Sequence, residues 1–145
     1  MLPRRYKHTP LDDELHNLSV FVDCPPRTLR RISTLGTRLR IRAGQSLTTA
    51  GTRTAEVVIV LSGSASCLVR GVEEARFGPG DFFGEVAALV GGPRTATVVA
   101  TTEMEVLVLN ALEFEMLFKS SPEVAHQMLK VMAQRLRQAN ARAVA

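Results

Sequence analysis

Between Leu39 and Leu109, short β-branched runs alternate with glycine-marked turns roughly every ten residues. That rhythm excludes a long helix and demands many short strands. Leu39 and Ile41 alternate with Arg38, Arg40 and Arg42, the pattern of a half-exposed strand. Ala43-Gly44 and Ala50-Gly51 mark turns. Val57 to Leu61 is apolar throughout, which predicts a buried strand, closed by Ser62-Gly63-Ser64. Cys67-Leu68-Val69 is another strand, followed by a tight connection at Gly71. Phe77-Gly78-Pro79-Gly80-Asp81 spells a rigid turn. Thr97 to Thr101 and Val106 to Leu109 are two further β-branched runs. Short strands in such number close on themselves as a sandwich or a jelly roll.

Helical patterns flank this block. Leu11, Leu15, Leu18 and Phe21 recur at three- and four-residue spacing, one apolar stripe on a helix. Pro25-Pro26 breaks the chain, and Leu29, Ile32 and Leu35 predict a second short helix ending at Gly36. On the far side, Asn110-Ala111-Leu112-Glu113 fits a capping box, with Phe114, Leu117 and Phe118 as the buried face behind it. Ser121-Pro122-Glu123 starts another helix. Val124, Met128, Val131, Met132 and Leu136 form its apolar stripe to about Ala139, and its basic end suits a helix C-terminus. The fold class is therefore α+β: a closed sandwich or jelly roll flanked by N-terminal and C-terminal helices. Residues 1–10 read as a basic arm or linker, and 11–145 as one domain, long enough for a real core.

Composition narrows the function. Aromatics are 5% of the chain with no Trp, which argues against a stacking platform for single-stranded nucleic acid. The net charge of +4 suits an anionic ligand or acidic partner, and equally an ordinary solvated surface. Cys24 and Cys67 are far apart and lack a zinc-like His pattern, so no metal is expected and both read as reduced thiols in a cytoplasmic protein. No apolar run approaches a membrane span, and the basic N-terminus lacks a signal core.

The segment that carries chemistry runs from Phe82 to Val98. It holds one carboxylate, Glu85, and one guanidinium, Arg94, with small uncharged residues between them. Glycine at Gly84 allows close backbone approach to a ligand. Arg94 supplies the planar fork that matches phosphate oxygens, and Glu85 an acceptor for hydroxyl donors. A pocket that grips a phosphate and a sugar hydroxyl is a nucleotide site. Taken singly, a Gly-Glu pair and a distant Arg are more often plain surface features.

Phe83-Gly84-Glu85, the nine-residue step from Glu85 to Arg94, and Pro93-Arg94-Thr95-Ala96-Thr97-Val98 together resemble the phosphate-binding cassette of cyclic nucleotide-binding domains. Gly44, Gly51, Gly63 and Gly80 fall where that family turns its roll, and the resemblance implies an eight-stranded antiparallel β-roll (jelly roll) between the flanking helices. The likeness covers about Leu18 to Leu136, and Ser120 to Ala125 with the following helix is most similar to the cytoplasmic domain of bacterial cyclic-nucleotide-regulated potassium channels. The resemblance implies a ligand, cAMP more than cGMP, and a set of contacts. Arg94 would pair with the cyclic phosphate and Glu85 would accept the ribose 2′-hydroxyl. Gly84 would close on the ribose, beside Phe83. The N–H groups of Val86 and Ala87 would face the phosphate. Thr95 would keep the pocket permissive without deciding the base. Val69 would line the base, and Arg135 on the last helix would cap it as a lid. One departure is Ala88, where relatives often carry Leu; it removes no ligand contact.

No catalytic residue is expected. His8, His16 and His126 are scattered, so a cupin-like metal enzyme is disfavoured, and no nucleophile–base pair stands out. The bacterial activators of this family add a DNA-reading domain after the long helix; the sequence given carries none, so sequence-specific nucleic acid is not an expected partner. The expected partners are the cyclic nucleotide and an effector protein or channel, with the chain a monomer or weak dimer. The alternatives are the regulatory domain of a cyclic-nucleotide-gated channel, or a degenerate cassette domain serving as a protein-interaction module.

Overall fold

The computed structural model describes residues 19–21 and 23–144. The 1–10 arm and most of the helix expected over 11–21 lie outside these residues; Ser19–Phe21 forms a single 3-10 turn. The short helix α1 spans Pro26–Leu35, with proline in its first turn and Gly36 beyond its end. Leu29 and Ile32 are its buried face, as the spacing predicts.

Eight strands follow. They are β1 Thr37–Ile41, β2 Ser46–Thr48, β3 Val57–Ser62, β4 Ala65–Val69, β5 Val72–Phe77, β6 Phe82–Phe83, β7 Thr97–Ala100 and β8 Met104–Leu109. They form two antiparallel four-stranded sheets, ordered β1-β8-β3-β6 and β2-β7-β4-β5. A six-residue helix, α2 (Glu85–Val90), lies between β6 and β7. Two helices close the chain: α3 (Ala111–Ser120) and α4 (Pro122–Val144).

The pattern of β3 explains the layout. Its apolar run is buried on both sides because each side has its own core. Val57 and Ile59 face the helices, in a cluster with Phe21, Ile32, Phe82, Leu107, Leu109, Phe114, Leu117, Val124 and Met128. Val58 and Val60 face the interior of the roll with Ile41, Phe77, Phe83, Val98, Met104 and Val106. One strand thus ties the helical layer to the roll, and a continuous apolar run is the sequence of such a strand.

Local geometry carries the remaining predictions. The β4–β5 hairpin turns on Arg70-Gly71, with φ 53° and 78°, and Val69 pairs with Val72 across it. Positive φ at both central residues is the hairpin turn whose twist matches the strands. In the turn after β5, the Gly78 N–H donates to Asp81 Oδ2 at 2.8 Å, and Asp81 O accepts from Val60 N–H at 2.9 Å. The capping box on α3 is complete: the Glu113 N–H donates to Asn110 Oδ1 at 2.8 Å, and the Asn110 N–H to Glu113 Oε1 at 2.9 Å.

Two expectations about the last helix need correction. It runs to Val144 rather than ending near Ala139, because Arg, Asn, Gln and Ala continue it without a Gly or Pro stop. Leu136 does not share the buried stripe: Val124 and Met128 are fully buried, Val131 and Met132 are partly buried, and Leu136 is exposed. By Leu136 the helix has passed the end of the packed core.

Candidate functional site

The site is assembled where β6 ends. Phe82 and Phe83 pair with Ile59 and Val58 of β3, so the chain enters the site from a strand anchored in both cores. Phe83 stacks on Phe77, with ring centroids 5.0 Å apart. Gly84 then adopts φ +91°, which turns the chain from strand to helix. A Cβ there would lie 2.5 Å from Glu56 O and 2.8 Å from Arg94 Nη1, so only glycine fits. Glu85, Val86 and Ala87 form the first turn of α2, whose N–H groups have no partner within the helix.

The chain leaves α2 through Gly91-Gly92-Pro93 and presents Arg94. The Arg94 backbone is fixed to the β2–β3 connection from both sides. Its N–H donates to Thr52 O at 2.8 Å, and its carbonyl accepts from Gly51 N–H at 2.8 Å. Its side chain is held as tightly. Nε donates to Thr54 Oγ1 at 2.9 Å, Nη1 to Gly84 O at 3.1 Å and Nη2 to Glu56 O at 2.7 Å. These acceptors are all neutral, and among the described residues Arg94 makes no ion pair. Arg94 is nevertheless only 7% exposed. Burial pulls its pKa down, against the opposing fields of Glu56 and Glu85.

Thr54 could not be read from the sequence as part of the site. It sits 40 positions before Arg94, in a loop with no motif of its own. Only the folded β2–β3 connection brings its hydroxyl to the guanidinium.

Glu85 is likewise 7% exposed. Arg135 of α4 reaches it across the pocket, with Nη1 3.3 Å from Glu85 Oε1. Arg135 Nη2 also donates to the Phe82 carbonyl. The guanidinium carbon lies 4.6 Å from the Phe82 ring centroid and 5.2 Å from that of Phe77. Cation–π contact and a charge-assisted hydrogen bond therefore hold the same side chain.

A pocket of about 180 Å³ opens between these groups. Its walls bring together Phe83, Gly84, Glu85, Val86, Ala87, Arg94, Thr95 and Arg135, eight of the nine site residues expected from sequence. Val69 is the ninth and does not line it. Cys67, two residues earlier on β4, takes that place, and Val69 lies beyond the last β4–β7 pair, at the hairpin end. Thr48, Phe77, Pro93, Ala96 and Val98 complete the wall. Burial raises the Cys67 thiol pKa, an effect the nearby Arg135 charge partly offsets. Among the described residues no group of three His, Cys, Asp or Glu side chains could hold a metal ion, and no helix is long and apolar enough to cross a membrane.

A two-sheet roll with a short helix and a buried arginine between β6 and β7 defines a class of ligand-binding domain. Residues 38–121 match the family model described as cyclic nucleotide-binding domain, more than half of the chain, and the chain belongs to that family. It is 48% identical over 58 residues to a cyclic nucleotide-gated potassium channel of Rhizobium etli, covering 40% of this chain and 16% of the channel. It is 39% identical over 66 residues to the cyclic AMP receptor protein of Thermus thermophilus, covering 46% of this chain and 31% of the receptor. The crystal structure of the Thermus thermophilus catabolite activator protein superposes with a TM-score of 0.75 at 28% identity, over 86% of this chain and 61% of that one. The chain thus spans a third or less of either curated relative, and its fold is that of the family's jelly roll.

Proposed function

We propose that this chain is a non-enzymatic, cytoplasmic cyclic nucleotide sensor that prefers cAMP to cGMP and signals through its C-terminal helix. The observation that carries the reading is Arg94: a buried guanidinium, pinned by three neutral oxygens, with its remaining N–H groups and its charge left for a ligand in the pocket. A buried cation without a counter-ion is costly, and an incoming phosphate supplies one. Glu85 supplies, beside its pair with Arg135, a carboxylate acceptor for a ribose hydroxyl, and Gly84 leaves the backbone open to the sugar. A cyclic AMP receptor among the relatives supports the choice of base. The exposed Thr95 at the pocket rim tolerates either purine.

The likeness to a potassium channel supports a second role for the same module, as the regulatory domain of a membrane protein. Both roles use one pocket and differ in what reads the helix.

The test is calorimetry with cAMP and with cGMP, on protein unfolded and refolded to strip any nucleotide carried through purification. Saturable binding with cAMP the tighter ligand is expected. Arg94→Ala should weaken it by about 2–5 kcal/mol, the usual cost of removing one partner of a buried charge contact. Wild-type protein that binds neither nucleotide would sink the proposal. Unchanged affinity in the variant would remove Arg94 from the phosphate site.

A further inference from the structure

The three acceptors that hold the Arg94 side chain are not equivalent. Gly84 O and Glu56 O are backbone carbonyls, which any residue at those positions would supply. Thr54 Oγ1, 2.9 Å from Arg94 Nε, is a side-chain atom. Among the described residues it is the one support of this guanidinium that the choice of amino acid controls.

The carbonyls hold the outer nitrogens Nη1 and Nη2, and Thr54 holds Nε at the base of the group. Two outer points fix an axis about which a planar group still rocks. A third point off that axis fixes the plane. With one bond to each nitrogen, one N–H remains on Nη1 and one on Nη2, a planar fork that matches phosphate oxygens. The Thr54 hydroxyl is neutral, so it orients this fork without cancelling its charge.

Thr54 is exposed and does not line the pocket, yet its loop is tied down. In the connection from β2 to β3, the Ala50 N–H donates to Thr97 Oγ1 of β7 at 3.0 Å. Gly51 and Thr52 bond the Arg94 main chain from both sides. Thr52 donates twice to Thr49 O, from Oγ1 at 2.6 Å and from its N–H at 3.1 Å. One loop thus grips Arg94 by main chain and by side chain.

We infer that Thr54 is a positioning residue: its hydroxyl sets the plane of Arg94, and with it the angle at which the guanidinium meets a phosphate. The inference rests on the proposed function in one respect, that a cyclic phosphate is what Arg94 meets. Such a phosphate carries two exocyclic oxygens that leave the ring in different directions. A guanidinium held at one angle engages them unequally, and one free to rock tells them apart less well.

The first measurement needs no ligand. In proton–nitrogen NMR spectra of the full-length, nucleotide-stripped protein, the Arg94 Nε–H signal is identified by its absence in Arg94→Lys. Thr54→Val keeps the shape of the side chain but removes the acceptor, and should speed exchange of that proton with water about tenfold. Thr54→Ser keeps the hydroxyl and should keep the wild-type rate. Equal rates in wild type and Thr54→Val overturn the inference, and so does a serine variant that behaves like valine. The second measurement is calorimetry with the two phosphorothioate diastereomers of cAMP, each with sulfur in place of one exocyclic oxygen. Thr54→Val should bind cAMP about fivefold or more weakly and should discriminate less between the diastereomers, with both properties restored in Thr54→Ser. Weaker binding with unchanged discrimination would make Thr54 a mere support of the loop and overturns the positioning role. If the Nε–H exchange responds as expected but wild type binds no nucleotide, Thr54 still sets the guanidinium and the proposed ligand fails.

Discussion

Gly84 concentrates the constraints of the site at a single residue. It must hold φ +91°, pass 2.5 Å from a carbonyl at its missing Cβ, and offer its own carbonyl to Arg94. Gly84→Ala brings a left-handed penalty of about 1–2 kcal/mol and pushes the new methyl into Arg94 Nη1. The expected outcome is a lower melting temperature together with loss of cyclic nucleotide binding, read by thermal denaturation and by calorimetry. A variant that binds normally would show that the guanidinium position does not matter. Cys24 makes a different prediction. It is buried beside the helical core, and burial, helped by the charges of Glu123 and Asp23, pushes its thiol up to about 11. The native state therefore keeps a proton that the unfolded chain loses near pH 9. The sign follows: this contribution is complete below pH 9 and is lost as pH rises toward 11. Cys24→Ala should flatten the alkaline fall of stability over that window, measured by urea denaturation at a series of pH values. An identical slope in wild type and variant would place the titration elsewhere.

Helix α3 shows an element whose boundary is written in the sequence. Asn110 and Glu113 exchange hydrogen bonds across the N-terminus, and both partners are local. Asn110→Ala should cost about 1 kcal/mol, the usual loss for a cap, with nucleotide affinity little changed. Denaturation of wild type and variant in parallel checks it, and no loss of stability would mean that the cap is redundant with the packing of Phe114 and Leu117. Elements with local signals were legible in this way: α1, β3, the two glycine-marked turns before it, the capping box and the cassette. Others were not. β5 is exposed at every residue but Phe77, so no alternation marks it as a strand; pairing with β4 alone makes it one. β6 is two residues long and exists only because β3 is beside it. The Glu85–Arg94 cassette was legible because its groups are close in sequence. Its supports were not, since Thr54 and Glu56 arrive from 40 and 38 positions away. The replacement of Val69 by Cys67 at the pocket wall likewise depends on how far β4 runs alongside β7, which no local pattern records.

At the scale of the molecule, β3 and β8 each contribute one face to the helical cluster and the other to the roll. The pocket belongs to the roll, but Arg135 and Phe82 join it to the helical side. A ligand that neutralises Arg94 and engages Glu85 therefore acts on a contact shared by both layers, and its binding energy should appear as stability of the whole domain rather than of a loop. Anything that binds only the folded chain stabilises it by mass action, about 2.7 kcal/mol at a hundredfold excess over Kd. For a domain of this size, each kcal/mol raises the melting temperature by about 2–4 °C. Saturating cAMP should thus raise the midpoint by about 5–10 °C as one cooperative transition, and Arg94→Ala should remove most of the shift. Scanning calorimetry with and without nucleotide makes the measurement. A shift in only part of the unfolding signal would show that the helical layer melts independently of the roll, and it would break the link between pocket and helix on which the proposed signalling through α4 depends.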